Sequence, residues 1–220
     1  MLKALAGLYL RLTGWKTLGE IPKLDRCVLI AAPHTSNWDL PIMLAIGFRF
    51  GVRVNWLGKH TIFKGLHGWL FRKVGGLPVD RRSRHDTVQT VAQMIRSAPH
   101  IFLTMSPEGT RSRTEHWKSG FYHIALAADV PVVCGVLDYA RKEGGFGPTF
   151  HLTGDMTADM DQIRGYYADK RGNRNELFGP VRLRDETGVT TGETAAQGED
   201  SIPPLATEEL AAGFSARKAS

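Results

Sequence analysis

Short apolar runs recur along this chain with helix-like stretches between them, and that alternation limits the fold more than any other feature. RCVLIAA (26–32), VRVNWLG (52–58), HIFLT (100–104) and VPVVCGVLD (130–138) are dominated by Val, Ile, Leu and Phe, and a shorter LPVD (77–80) follows the Gly75-Gly76 pair. Short apolar, β-rich runs of this kind read as strands. The intervening segments carry helical spacing: the run ending near Phe50, residues 61–74 with Phe63, Leu66, Leu70 and Val74, residues 84–97, and residues 118–128. Strands alternating with helices predict an α/β fold, a layered sheet that is mostly parallel or mixed and flanked by helices. TFHLTG (149–154) is expected to add a strand, and residues 156–170 a last helix.

A chain of 220 residues suits one packed domain, assigned to residues 1–183. From Arg184 onward Gly, Thr, Glu, Ala and Pro203-Pro204 dominate, so 184–220 is expected to be a disordered acidic tail. That segment holds seven acids against three bases, a charge of −4, so the total of +6 leaves +10 on the body. A basic body points to an anionic partner: phosphate ligands, an anionic membrane, an acidic carrier protein or nucleic acid. Cys27 and Cys134 each lie in an apolar run and read as buried free thiols, which makes a reducing compartment the default. No signal-peptide pattern opens the chain. The longest apolar run, Leu40 to Phe48, falls short of the ~20 residues that a membrane-spanning helix needs.

MLKALAGLYLRLTGWK opens the chain as an amphipathic helix, with Leu2, Leu5, Ala6, Tyr9 and Leu12 on one stripe and Lys3, Arg11 and Lys16 beside it. Such a stripe either packs on the protein's own core or lies in a lipid headgroup layer.

Three polar segments follow strand ends, where α/β sheets gather ligands. The first is HTSNWD, with His34 and Asp39 five residues apart. Five helical steps subtend about 140°, so the two side chains meet only if His34 stays in the loop and Asp39, in the first helical turn, folds back. There Asp39 would fix one imidazole nitrogen and leave the other free to take a proton. Ser36-x-x-Asp39 also reads as a capping box. With eight histidines and twelve aspartates, about 0.4 such spacings arise by chance. The second segment, Ser106 to Ser112 (SPEGTRS), offers a tight turn, two hydroxyls and the planar donor fork of Arg111, suited to phosphate; a plain polar turn would look the same. The third, GLPVDRR, ends in charge at Arg81 and Arg82.

In order and spacing, HTSNWD, GLPVDR, SPEGTRS and VPVV, with about seventy residues between the histidine and the glutamate, resemble the glycerophospholipid acyltransferase family, especially 1-acylglycerol-3-phosphate acyltransferases. The likeness covers roughly residues 26–137. It implies the glycerol-3-phosphate acyltransferase fold, a catalytic pair His34 and Asp39, an acceptor-phosphate ligand at Arg81, a phosphate-binding turn of Glu108, Gly109, Thr110 and Arg111, and Pro131 near the acyl-binding region. Pro33, Ser106 and Gly135 depart from the family pattern, which usually has asparagine, an aromatic residue and proline there.

The resemblance implies transfer of a fatty acyl group from acyl-CoA or acyl-acyl-carrier-protein to the hydroxyl of a lysophospholipid, with His34 as general base and no bound cofactor or metal. No G-x-S-x-G elbow is present, so transfer is expected to be direct. Ser36 reads as a helix cap. Backbone N–H groups of Thr35 to Trp38 are candidate oxyanion donors. The expected setting is the cytoplasmic face of a membrane, with peripheral attachment and no nucleic acid. Two other readings use the same residues: a thioester hydrolase in which water is the acceptor, and a non-catalytic module that binds anionic membranes. His60, His67, His85, His100, His116, His123 and His151 lack a comparable partner pattern, and Lys118 reads as a basic residue at a helix start.

Overall fold

The apolar runs form one seven-stranded sheet in the order β1-β7-β6-β2-β5-β3-β4. This is seen in a computed structural model that describes residues 2–79 and 84–187. In chain order the elements are α1 (Leu2–Thr13), β1 (Lys16–Leu18), β2 (Arg26–Ala32), α2 (Asp39–Phe50), β3 (Val54–Lys59), α3 (Gly65–Lys73), β4 (Gly76–Val79), α4 (Arg84–Ser97), β5 (Ile101–Met105), α5 (Gly120–Ala128), β6 (Val132–Asp138), β7 (Glu143–Phe150) and α6 (Met156–Tyr167). A 3₁₀ turn, His60–Phe63, precedes α3 and takes the start of the helix expected from residue 61.

β6, β2, β5, β3 and β4 run parallel, while β7 returns antiparallel to β6 and β1 lies parallel to β7. The fold is therefore the mixed α/β sheet expected. The last strand differs: it is EGGFGPTF, not TFHLTG, because the chain after β6 turns back directly and pairs along β6 from Asp138. Its glycines hide the strand from a propensity reading.

β2 is buried on both faces. Val28, Ile30 and Ala32 pack toward α4, α5 and α6 with Val91, Ile95, Phe121, Tyr122, Ile124, Met160 and Tyr167. Cys27 and Leu29 point the other way, toward Val54, Phe102, Val133 and Phe146, with Met43 and Phe50 of α2 alongside. Both thiols are buried and free, and desolvation pushes each up to about 12.

α1 packs outside α2, with Ala6, Leu10 and Trp15 against Ile42, Ala45 and Ile46. This corrects the stripe read from sequence. Ala6 and Leu10 face inward, whereas Leu2 (60%), Leu5 (56%), Leu8 (54%) and Leu12 (79%) are exposed. Among the described residues no helix is long and apolar enough to cross a membrane. The tail expected from 184 onward lies outside the described residues except for its first turn, Arg184–Thr187, where Glu186 accepts the Leu183 N–H and pairs with Arg164.

Buried Asp159 secures α6. It accepts the Tyr122 hydroxyl at 2.8 Å, the Thr153 hydroxyl at 2.9 Å, and the N–H groups of Thr153 and Gly154. Asp159→Ala leaves these donors unpaired, and urea unfolding should show a loss of about 3 kcal/mol. A change below experimental error would mean that this network adds nothing to stability.

Candidate functional site

β2 and β5 are neighbours, but the chain leaves them in opposite directions. β2 feeds α2 on one face of the sheet and β5 feeds α5 on the other, so their C-terminal ends border the crevice where α/β sheets bind ligands. HTSNWD leaves β2 there and SPEGTRS leaves β5. Glu108 spans the gap: its Oε1 accepts the His34 backbone N–H at 2.6 Å.

His34 stays in the loop, and Asp39, the first residue of α2, folds back to meet it. Asp39 Oδ2 lies 2.9 Å from His34 Nδ1 and also accepts the Ser36 N–H at 2.9 Å. The capping role and the imidazole contact are thus carried by one oxygen. Ser36 Oγ accepts the Trp38 N–H at 3.2 Å. With Nδ1 as the donor to a carboxylate, Nε2 is left as the basic nitrogen, and it has no protein partner among the described residues. The His34 side chain is 26% exposed while that of Asp39 is 6% exposed, so the ring is reachable and the carboxylate is not.

Asp39 has a third partner that the sequence did not reveal. The Tyr139 hydroxyl donates to Asp39 Oδ1 at 2.6 Å, from one residue beyond the end of β6. The loop holding Tyr139 is tied down: its N–H bonds Arg171 O at 2.9 Å, and Arg141 bridges Asp138 at 2.6 Å and Asp169 at 3.0 Å. Trp15 meets the Tyr139 ring edge-on at 4.9 Å. Burial, then the contact with Asp39, raises the phenol's pKa, which keeps Tyr139 a donor. Only its place after an apolar strand could have marked it. Thr35 is buttressed from the segment after α6, its Oγ1 and carbonyl accepting from Arg174 N and Nε, both at 3.2 Å.

The turn after β5 is built around Gly109, whose φ of +66° turns the chain. A Cβ there would come within 2.6 Å of Lys118 Cε, so Lys118 lies along the turn and is a basic neighbour that the sequence reading set aside. Arg111 is exposed and has no protein partner among the described residues. Thr110 Oγ1 accepts the Ser112 N–H at 3.2 Å. Glu108 does not share this exposure: it is 2% exposed and faces His34, not the turn's open side. Arg81 lies outside the described residues. Pro131 is not brought here. It is buried at the start of β6, where its carbonyl takes the Val28 N–H, and a parallel strand keeps that end away from the crevice.

These groups share a cavity of about 1440 Å³. Its lining is mixed: the basic and polar His34, Ser36, Arg111, His116 and Lys118 and the acidic Asp39, Glu115 and Asp185, together with the apolar Leu29, Met43, Ile46, Val54, Trp56 and Phe146. Thr104 Oγ1, Ser106 Oγ and Trp117 Nε1 in its walls are buried without a protein partner. The space suits an amphiphile with an anionic end and a long apolar body.

Burial, opposed by the His34 amide and reinforced by Asp39, raises the Glu108 carboxyl from 4.5 to about 8. The folded protein therefore holds a proton there that the unfolded chain releases, and stability falls as pH rises through that interval. Glu108→Gln keeps an acceptor for the His34 amide without the ionisation. Across pH 5 to 8 its unfolding free energy should gain on the wild type by on the order of 2–4 kcal/mol. Parallel stability–pH curves for the two proteins would show that this carboxyl is not protonated in the fold.

A profile of the acyltransferase family matches residues 16–137. Over 84 residues the chain is 32% identical to 1-acyl-sn-glycerol-3-phosphate acyltransferases from Limnanthes douglasii and Limnanthes alba, covering 36% of this chain and 30% of each relative. The corresponding Cocos nucifera protein is matched at 32% over 27% of its length. The similarity thus spans less than a third of these plant proteins. Among solved structures, the 1-acyl-sn-glycerophosphate (LPA) acyltransferase PlsC from Thermotoga maritima aligns with 76% of this chain and 74% of its own, at 14% identity and a TM-score of 0.48. Since the profile takes in more than half of the sequence, including the histidine loop, the glutamate turn and β6, the chain belongs to the acyltransferase family.

Proposed function

We propose that this protein transfers a fatty acyl group from acyl-CoA or acyl-acyl-carrier-protein to the hydroxyl of a lysophospholipid such as 1-acylglycerol-3-phosphate. One observation carries the reading: an Asp39-anchored His34 with its Nε2 free lines the same large cavity as Arg111, Lys118 and the apolar side chains of β2, α2 and β3. The names of the plant relatives agree with that acceptor class.

In the proposed reaction the lysolipid phosphate sits against Arg111 and Lys118, and the acyl chain occupies the apolar region between β2, α2 and β3. Neutral His34 takes the hydroxyl proton through Nε2 as the oxygen attacks the thioester carbonyl. The new ester bond forms, the C–S bond breaks, and the imidazolium returns the proton to the leaving thiolate. General base catalysis of this kind is worth roughly 10²–10⁴ in rate. Asp39 stabilises the imidazolium, and Tyr139 holds Asp39 in place. Further acceleration comes from fixing both substrates by the phosphate and the chain. Buried Cys27 and Cys134, each with a raised thiol pKa, are poor candidates for an acyl-enzyme. We further propose that the reaction takes place on a membrane face, against which the exposed leucines of α1 rest.

The test uses purified protein, radiolabelled acyl-CoA and acyl-acyl-carrier-protein, and a panel of lysolipids. Acyl ester should form only with acceptor present; equal release of free fatty acid without it would identify a hydrolase and sink the proposal. His34→Ala should lower turnover by about 10³-fold. Arg111→Ala should raise KM for phosphate-bearing acceptors about 10- to 100-fold with little change in kcat. Tyr139→Phe, losing one hydrogen bond to a charged group, should lower kcat about 10-fold and leave both KM values in place. A rise in KM alone would assign Tyr139 to substrate binding instead.

A further inference from the structure

The structure has a second cavity, about 800 Å³, on the α1 side, walled by Lys3, Arg11, Lys16 and Arg49 together with Leu8 and Trp15, and no carboxylate lines it. None of these four cations makes an ion pair among the described residues; Lys16 stands beside Glu143 in the β1/β7 register without bonding it. We propose that this cavity is a binding site for the phosphate-bearing headgroup of an anionic phospholipid in a bilayer surface, distinct from the catalytic cavity. The proposal deepens the membrane-face reading above and rests on it.

The geometry of α1 supports that occupant. At 100° per residue, Ala6 and Leu10 face α2, while Leu5, Leu8 and Leu12 fall within about 60° of one another on the outer side, roughly 150° away. Lys3, Gly7 and Arg11 form an i, i+4, i+8 row between those two faces. Gly7 leaves a notch in the row, and Arg49 reaches from α2 across it: a Cβ on Gly7 would lie 3.5 Å from Arg49 Cδ. Arg49 thereby joins Lys3 and Arg11 around the notch, three cations in one cavity wall, with Arg11 at the end of the row nearest the leucines, about 60° from Leu8. Two of them are guanidinium forks, whose donors match phosphate oxygens in pairs. Clustering unpaired cations costs repulsion unless an anion joins them. A soluble phosphate would satisfy the charges but leave the leucine face in water. A lipid satisfies both at once, its headgroup against the cation row and its chains beside Leu5, Leu8 and Leu12.

Vesicle sedimentation of the full chain tests this. Wild type should bind phosphatidylcholine vesicles doped with phosphatidylglycerol far more tightly than phosphatidylcholine alone. Arg11→Gln/Arg49→Gln should weaken binding to the anionic vesicles about 25-fold, whereas Lys23→Gln/Arg182→Gln, with the same loss of charge elsewhere, should stay close to wild type. Arg11→Lys/Arg49→Lys should retain most of the binding. Acyl transfer to a short-chain lysophosphatidate dispersed without vesicles should be unchanged in the Arg11/Arg49 variant, which shows that it is folded. If that soluble assay fails in wild type, the proposed enzyme activity is at fault, and the vesicle comparison still decides the headgroup site. The site is refuted by equal weakening in both double variants, by equal binding of neutral and anionic vesicles, or by release of wild type from vesicles with millimolar inorganic phosphate.

Discussion

One hydrogen bond closes the crevice between β2 and β5, from the His34 amide to the carboxyl of Glu108, across 74 residues of sequence. The strands alone would leave two independent loops, each free to choose its own path away from the sheet. The Glu108 side chain removes that freedom by reaching from one loop to the backbone of the other at the residue that carries the imidazole. Its burial is costly for a carboxylate, which is why the carboxyl's pKa is driven upward. The acid is thus suited to a neutral, backbone-holding role, which leaves Arg111 and Lys118 as the basic side chains of this turn that face the cavity.

Asp39 is its counterpart, a carboxylate kept in the interior by the number of its partners. It collects the imidazole, a backbone amide and a phenol within 2.9 Å. These partners come from the loop after β2 and the loop after β6, while Glu108 adds the loop after β5. Three adjacent parallel strands therefore supply the centre from their C-terminal ends. Helix α2 starts at Asp39 and adds the positive end of its dipole. The segment after α6 supports the outside through Arg171 and Arg174.

Much of this was legible because it depends on local pattern. The parallel strands are apolar on both faces, and α4 runs over the residues its periodicity marks, Arg84–Ser97. The His34 loop was legible because helical geometry forbids the pair from meeting in any other way. What escaped was decided by long-range packing. The core-facing side of α1 is set by its packing on α2, which takes Ala6 and Leu10 inward and leaves Leu5 exposed. β7 carries Gly144, Gly145 and Gly147, and close backbone and side-chain neighbours leave no room for a Cβ at any of them, so the strand lacks the β-branched signature. Tyr139 stands 100 residues from Asp39, and no local spacing connects them. Pro131 resembled a motif residue but begins a strand whose other end faces the site.

Trp15 links the α1-side cavity to the His34 cluster. It forms a wall of the α1-side cavity and also packs on Tyr139, which holds Asp39. From that cavity to the imidazole there are only three contacts. Short chains of this kind carry a signal only when one link has two stable arrangements. Here Trp15 is buried at 7% exposure, Tyr139 is fastened by its own N–H, and Lys142 reaches the Thr13 carbonyl at the end of α1. Each link is held from at least two sides. The chain therefore transmits orientation: the position of α1 is fixed relative to His34, so in the proposed membrane docking it would set how the cavity mouth faces the lipid, while the distances between His34, Asp39 and Tyr139 are already set.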